Sequence, residues 1–347
     1  MRIAFRVDAS EQIGMGHLMR CLSLAKVALV AGDQVWFLSQ VLLRVEQVAM
    51  AGVQVIWLKT NQPEELKLVL TELEIGCLII DHYQVDDDFF CKLKHSTQVS
   101  CYLDDLNSFS YLVDLVVNGN LGAEKLAYQR SPLTKEVLLG IKYNLIRDEF
   151  RDLPAKQVTP EIKKILITTG GSDPAQLSPR LIEALRELSI AGVQFDLVVG
   201  NGFQNHPALV ALAENTPGLV LHQKVERISV LMQAADLAIA AGGSSLYELA
   251  ACGVYTLAFI YAANQIFLVE QMSEAGLVVN LGWYETLEFE KLVGLVQQAD
   301  YTTRYQVARL GQSLVDAQGA VRVYQTIALL MKEKERKIDR KKEQNYA

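Results

Sequence analysis

This 347-residue chain is defined first by what it lacks. Its cysteines, Cys21, Cys77, Cys91, Cys101 and Cys252, are odd in number and no two have CxxC spacing, which speaks against a disulfide framework or a thiolate zinc site. They read as reduced thiols of a cytoplasmic protein, mostly packed in its core. No run of 18 apolar residues occurs, so no membrane span is expected. No basic n-region followed by an apolar h-region opens the chain, so no secretory leader is expected. Basic residues are not in excess: 33 Lys and Arg face 40 Asp and Glu, a net charge of −7, which argues against a nucleic-acid partner. Neither HxxxH nor an acidic cluster with ligand spacing is found, so no metal or other cofactor is demanded. No symmetric apolar stripe stands out, and a monomer is expected.

What is present is ample apolar material, half of all residues, in a chain longer than one core usually serves. Two domains follow as the expectation. The first half alternates short apolar runs (residues 3–7, 34–38, 53–58, 77–81, 99–103, 112–117) with helical patterns (16–31, 40–51, 63–74, 86–95). That repetition predicts an α/β fold with a parallel sheet covered on both faces. Residues 147–164 are charged, hold two prolines and lose the periodicity, and read as a linker. Alternation restarts with strands over 165–169, 194–199, 219–222, 237–241 and 255–261, and helices over 207–214, 227–234, 244–251 and 265–275. The chain is helical from 284 onward. Residues 1–150 and 151–347 are thereby assigned to two doubly wound, Rossmann-like domains, with the C-terminal helices in the second. The charged end, KEKERKIDRKKEQ, reads as a solvated helix end or, alternatively, a basic contact patch.

The chain is organised around FRVDASEQIGMGHLMR, residues 5–20. An apolar strand gives way to a polar segment, then to Gly14-Met15-Gly16-His17, and a helix begins there. Ligands of α/β sheets bind at the carboxyl ends of strands, beside helix N-termini whose N–H groups are free. Gly14 and Gly16 let the backbone approach such a ligand, and His17 is either its titrating neighbour or an ordinary polar residue of a helix start. Asp8 and Asp81, at strand ends, can orient His17, bind hydroxyls or cap loops. His82 reads as a core histidine or one that supports the site from behind, and Asp104 and Asp105 as an acidic pair that caps the next segment. In the second half, Gly170-Gly171-Ser172-Asp173-Pro174 ends one strand, with Ser172 and Asp173 as helix caps and Pro174 as first helical residue. Gly242-Gly243-Ser244-Ser245 ends another, with the two serines as caps and Glu248 one turn in. Glu248 reads as a capping carboxylate or as an acceptor for a ribose diol. Two such turns favour a phosphate-bearing ligand.

These motifs, with IIDHYQVDD (79–87), YLDDL (102–106), LIRDEF (145–150) and YAANQ (261–265), together resemble the PseG-type UDP-sugar hydrolases of pseudaminic acid biosynthesis, over roughly the whole chain and in the same order. Those enzymes act on UDP-2,4-diacetamido-2,4,6-trideoxy-β-L-altropyranose. The resemblance implies a GT-B fold, two Rossmann-like domains facing a cleft, with UDP held mainly by the second. It implies His17 as the base that activates water. It places Tyr83 and Asn264, and with them Gln265, around the sugar, and Glu248 on the ribose. Gly171, Ser172, Ser244 and Ser245 fall on the diphosphate. The implied partner is a small-molecule UDP-sugar. UDP is a good leaving group, so loop amides can hold its charge and one histidine suffices. A GT-B glycosyltransferase, a hydrolase for another diacetamido stereoisomer and a non-catalytic nucleotide-sugar binder fit the same motifs.

Overall fold

The computed structural model describes all residues except 11, 12, 14, 109, 174, 187–191 and 347, and of 338 and 341–346 it describes the backbone alone. Gly14 and Pro174 therefore lie outside the described residues. The chain divides into two compact units, one of residues 1–147 and 318–347, the other of 148–317.

The first unit is built on seven strands: β1 (Arg2–Val7), β2 (Gln34–Ser39), β3 (Gln54–Trp57), β4 (Cys77–Asp81), β5 (Val99–Leu103), β6 (Leu115–Asn118) and β7 (Glu136–Leu139). Their order is β3-β2-β1-β4-β5-β6-β7, and every pairing is parallel. Parallel strands need crossovers, and α1 (Gly16–Val30), α2 (Val45–Met50), α3 (Pro63–Glu72) and α4 (Asp87–Leu93) supply them. With both faces covered, β4 reads as an apolar run up to Asp81, and β1 as one broken within by Arg6. Phe5 of β1, in register with Phe37 and Ile79, is fully buried. On α1, Leu18, Cys21, Leu22, Leu24, Ala25 and Ala28 form the stripe that faces this core.

The C-terminal helix α12 (Gly319–Tyr346) belongs to this unit, not to the second as the order of motifs suggests. Ala320, Val323, Ile327, Leu330 and Met331 recur at helical spacing and are buried in the same cluster as β1 and α1. Polar contacts fix its register. Tyr324 donates to Asp33 (2.7 Å), Arg322 Nη1 donates to the Lys142 carbonyl, and Lys334 pairs with Asp114. Gly319 is required by close approach: a Cβ there would lie 2.1 Å from the Asn144 carbonyl oxygen.

The second unit holds β8 (Lys164–Thr168), β9 (Gln194–Val199), β10 (Leu219–Gln223), β11 (Leu237–Ala241), β12 (Tyr255–Ile260) and β13 (Val278–Trp283), in the parallel order β10-β9-β8-β11-β12-β13. Around it pack α5 (Leu177–Arg186), α6 (His206–Glu214), α7 (Ile228–Ala234), α8 (Ser245–Ala251), α9 (Ile266–Glu274), α10 (Phe289–Gln298) and α11 (Tyr301–Leu314). From Asp148 on, the segment expected as a linker is instead docked on this unit. Glu149 accepts from the Ser229 amide, Lys156 Nζ donates to the carbonyls of Gln233 and Ala235, and Thr159 donates to Asp236. Polar side chains thus tie down a stretch that lacks apolar periodicity.

Two edge strands, β7 and β13, escape the sequence reading because they are half-exposed and carry little apolar alternation. The helix expected from residue 40 starts only at Val45, because residues 40–43 are held against β1's exit: the Ala9 amide donates to the Val41 carbonyl and the Leu43 amide to the Ala9 carbonyl. No described helix is long and apolar enough to cross a membrane.

All five cysteines are free, and only Cys91 is exposed. Burial pushes the thiols of Cys21, Cys77 and Cys101 up, away from the reactive thiolate. Native protein treated with a charged alkylating reagent will therefore take up one label, at Cys91, and denatured protein five, as read by intact mass.

Candidate functional site

In both sheets the chain order reverses beside the first strand, between β1 and β4 and between β8 and β11. Such switch points leave a crevice at the carboxyl ends of the two strands, where open α/β sheets bind ligands. The candidate residues fall at these two places, one in each unit.

In the first unit, His17 is the second residue of α1 and Asp81 the last of β4. His17 Nδ1 lies 2.5 Å from Asp81 Oδ1. Arg20, one turn further along α1, donates from Nε to Asp81 Oδ2 and from Nη2 to Oδ1, both at 2.6 Å. Its Nη1 donates to both oxygens of Asp105, at 2.8 and 2.9 Å. Asp105 also accepts from the Tyr83 hydroxyl (2.7 Å) and from Asn120 Nδ2 (2.9 Å). The Tyr83 ring stands edge-on to the His17 ring, centroids 4.5 Å apart and planes at 82°.

The protonation pattern follows from these partners. Burial would raise the Asp81 carboxyl, but the charges of Arg20 and His17 and their hydrogen bonds outweigh it and hold the group well below the usual carboxylate range. Asp105 is likewise lowered, burial being overcome by Arg20 and the Tyr83 hydroxyl. An ionised carboxylate only accepts, so the proton between His17 and Asp81 sits on Nδ1. Neutral His17 then carries its lone pair on Nε2, and no described residue bonds that atom. Tyr83, pushed up by burial and by Asp105, stays a phenol and is no base.

Of the other first-unit candidates, Gly16 opens α1, and a Cβ there would meet nothing within 4 Å, so packing does not require its glycine. Asp8 does not touch His17. It is bonded to Arg6, to His82 and to the amides of Gln40 and Val41. Asp104 caps its own loop, accepting from the amides of Leu106 and Asn107 and from Tyr111 and Tyr128. Sequence reasoning missed Arg20 altogether. Its signal is the i, i+3 spacing from His17, which puts both on one face of α1.

In the second unit, the exits of β8, β11 and β12 surround a cavity of about 210 Å³. Its lining includes Gly171, Ser172, Ser245 and Gln265, together with Thr168, Thr169 and Tyr261, which sequence reasoning did not single out. Gly170 takes a φ of 104°, which only glycine adopts freely. Asp173 accepts from the amides of Leu177 and Ser178 and so caps α5. Ser244, expected to cap α8, occupies the cap position but its side chain makes no capping bond. Glu248 lies in the first turn of α8, buried, and does not line the cavity. Asn264 and Gln265 sit in a short 3₁₀ turn, where Asn264 is exposed and does not line the cavity. Gln265 Oε1 accepts from the Tyr261 amide at 2.8 Å. The Tyr261 ring stacks on Tyr284, centroids 4.4 Å apart.

The solved structure of Acinetobacter baumannii MurG superposes with a TM-score of 0.69 at 15% identity, covering 94% of this chain and 99% of that one. The fold is GT-B. A spinosyn rhamnosyltransferase complexed with thymidine diphosphate shares this GT-B fold at a TM-score of 0.63 and 15% identity, covering 94% and 99%. No family model matches the chain. Among curated proteins, the resemblance drawn from the motifs is matched by the UDP-2,4-diacetamido-2,4,6-trideoxy-β-L-altropyranose hydrolase of Campylobacter jejuni, 28% identical over 270 residues, 76% of this chain and 93% of that protein. The spore coat polysaccharide biosynthesis protein SpsG of Bacillus subtilis is 25% identical over 341 residues, 93% of this chain and 96% of that one. An uncharacterized protein of Methanocaldococcus jannaschii is 26% identical over 270 residues, 73% of this chain, and the match spans only 54% of that protein.

Proposed function

We propose that this GT-B chain is a UDP-sugar hydrolase that releases UDP from UDP-2,4-diacetamido-2,4,6-trideoxy-β-L-altropyranose. The observation that carries the reading is the His17–Asp81 pair, which leaves Nε2 as a base while Arg20 keeps the carboxylate ionised. In the reaction a water gives its proton to Nε2 as its oxygen bonds to C1. The bond from C1 to the diphosphate oxygen breaks, its electron pair leaves with UDP, and C1 inverts. Asp81 stabilises the imidazolium without taking the proton. Amides of the loop at Gly171 and Ser172, with Ser244 and Ser245, hold the diphosphate as its charge grows. Glu248 takes the ribose diol. By the resemblance drawn from the motifs, Gly16 and Tyr83 of the first unit are assigned to the sugar, with Gly14, and Asn264 and Gln265 of the second unit are assigned as ligand contacts. The similarity to the Campylobacter hydrolase supports the substrate class.

Reaction in oxygen-18 water tests the proposal: the label enters the sugar at C1. Label in UDP means attack at phosphorus and ends it. The similarity to MurG favours a second reading, transfer of the sugar to an acceptor. UDP release from a panel of UDP-sugars without an added acceptor separates the two.

The diphosphate assignment makes its own prediction. Gly200, at the exit of β9, backs the loop at Gly171. A Cβ there would stand 2.3 Å from the Gly171 carbonyl oxygen and 2.6 Å from its carbon, and backbone has to move. Gly200→Ala therefore weakens UDP binding about tenfold, roughly 1.4 kcal/mol by calorimetry. Unchanged affinity would remove this loop from the diphosphate site.

A further inference from the structure

The side chains around His17 close into a ring. His17 Nδ1 bonds Asp81, Asp81 bonds Arg20, Arg20 bonds Asp105, Asp105 accepts from the Tyr83 hydroxyl, and the Tyr83 ring returns to the face of His17. Arg20 is the joint. Its planar fork meets Asp81 through Nε and Nη2 while its remaining amine, Nη1, reaches both oxygens of Asp105. Only a guanidinium offers five donors in a fixed plane, and an ammonium at the same place can satisfy one carboxylate or the other as a point charge.

We propose that Arg20 and Asp105 are positioning residues of the hydrolytic site, which together fix the tautomer and the tilt of the His17 imidazole. The proposal rests on the reading of His17 as the base. Asp81 alone fixes where the Nδ1 proton points but leaves the ring free to rock about that bond. Tyr83 blocks the rocking only if its own ring is held, and its hydroxyl is held by Asp105. Asp105 in turn is placed by Arg20 and Asn120. Arg20 Nη2 also lies 3.2 Å from His17 Nδ1 while donating to Asp81. A guanidinium N–H beside Nδ1 competes for its lone pair in the opposite tautomer, so correct seating of the Arg20 fork in Asp81 selects Nδ1–H. A displacement of about 1 Å in a reacting group costs on the order of 10²-fold in rate, which sets the scale for losing the clamp.

The test uses the full chain and three variants, Arg20→Lys, Asp105→Asn and Tyr83→Phe, each checked for folding by circular dichroism and melting temperature. Long-range proton–nitrogen NMR reads the His17 tautomer directly and needs no substrate. The expected result, read on the uncharged ring, is a single Nδ1–H form in the wild type and a mixture of both tautomers in Arg20→Lys and Asp105→Asn. Tyr83→Phe keeps the ring but frees it from Asp105, and is expected to keep the tautomer while broadening the ring signals. With UDP-sugar, kcat falls roughly 10- to 100-fold in Arg20→Lys and Asp105→Asn, while KM stays within about twofold. A wild-type tautomer with wild-type kcat in both folded variants would overturn the clamp. If the wild type itself releases no UDP, the reading of His17 as a hydrolytic base fails, and the NMR result still decides whether Arg20 and Asp105 hold the ring. Should Arg20→Lys not fold, Asp105→Asn with Tyr83→Phe carries both readouts.

Discussion

His17→Asn lowers kcat for UDP release by roughly 10²- to 10⁴-fold, the span over which a positioned general base acts, and leaves UDP affinity within about twofold. Asparagine is close in size to imidazole near the backbone, and its amide oxygen or nitrogen can reach Asp81. It has no group that takes a proton from water at neutral pH. Asp81 cannot substitute, because Arg20 holds it ionised and a weak base. Tyr83 cannot either, since it stays protonated. UDP binding is spared because the cavity assigned to the diphosphate is built from residues of the second unit. A variant that kept more than a tenth of the wild-type kcat, by steady-state UDP release, would remove His17 from the chemistry.

Most of this architecture was legible in the sequence, and the exceptions have physical causes. Buried parallel strands announce themselves as apolar runs, and the expected spans at 77–81, 99–103, 194–199 and 237–241 coincide with β4, β5, β9 and β11. The glycine turns at strand ends located both switch points, and with them His17 and the loop at Gly171. What sequence could not show was partnership at a distance. Asp8 and Asp81 are similar carboxylates at two strand ends, and pattern alone gives them equal claims on His17. The register of β1 against β4 decides between them. Asp81 ends up facing the His17–Arg20 face of α1, whereas Asp8 turns toward Arg6 and His82. Helix α12 was misassigned for a related reason. Its apolar stripe, Ala320 to Met331, fits any sheet face, and only the packing on β1 and α1 shows which one it completes.

Arg6→Met destabilises the protein by about 3–5 kcal/mol, the usual cost of stranding one partner of a buried ion pair. Arg6 is fully buried one residue before the end of β1, where apolar neighbours predict a hydrophobic side chain. Its guanidinium grips Asp8 with two nitrogens, Nη1 and Nη2, each at 2.8 Å. It also donates to Asn61 Oδ1 and to the Leu38 carbonyl. His82 completes the cluster. The Gln84 amide donates to its Nδ1, so Nε2 carries the proton and gives it to Asp8. Burial would raise the Asp8 carboxyl, but His82 and Arg6 outweigh it and hold the group well below its ordinary range. The sign of the pH dependence follows. A carboxyl lowered in the folded state is protonated first in the unfolded one, so its contribution is complete above the unfolded value of about 4 and drains away as pH falls below it. Methionine keeps only the aliphatic part of the Arg6 side chain, so it leaves Asp8 with three of its four partners, His82 and the amides of Gln40 and Val41, and strands Asn61 Oδ1 and the Leu38 carbonyl. In Arg6→Met the carboxyl rises toward its ordinary range, so urea unfolding between pH 2 and 5 shows a flatter stability curve as well as a lower one. The double variant Arg6→Met, Asp8→Leu removes the stranded charge and recovers part of the loss, which marks the effect as electrostatic. Equal stability of the single and double variants, with an unchanged pH slope, would show instead that the cost is one of packing. Because His82 lies between Asp81 and Tyr83 in the chain, the same cluster anchors the strand exit that carries the proposed catalytic dyad, and loss of Arg6 is expected to lower kcat before the protein unfolds.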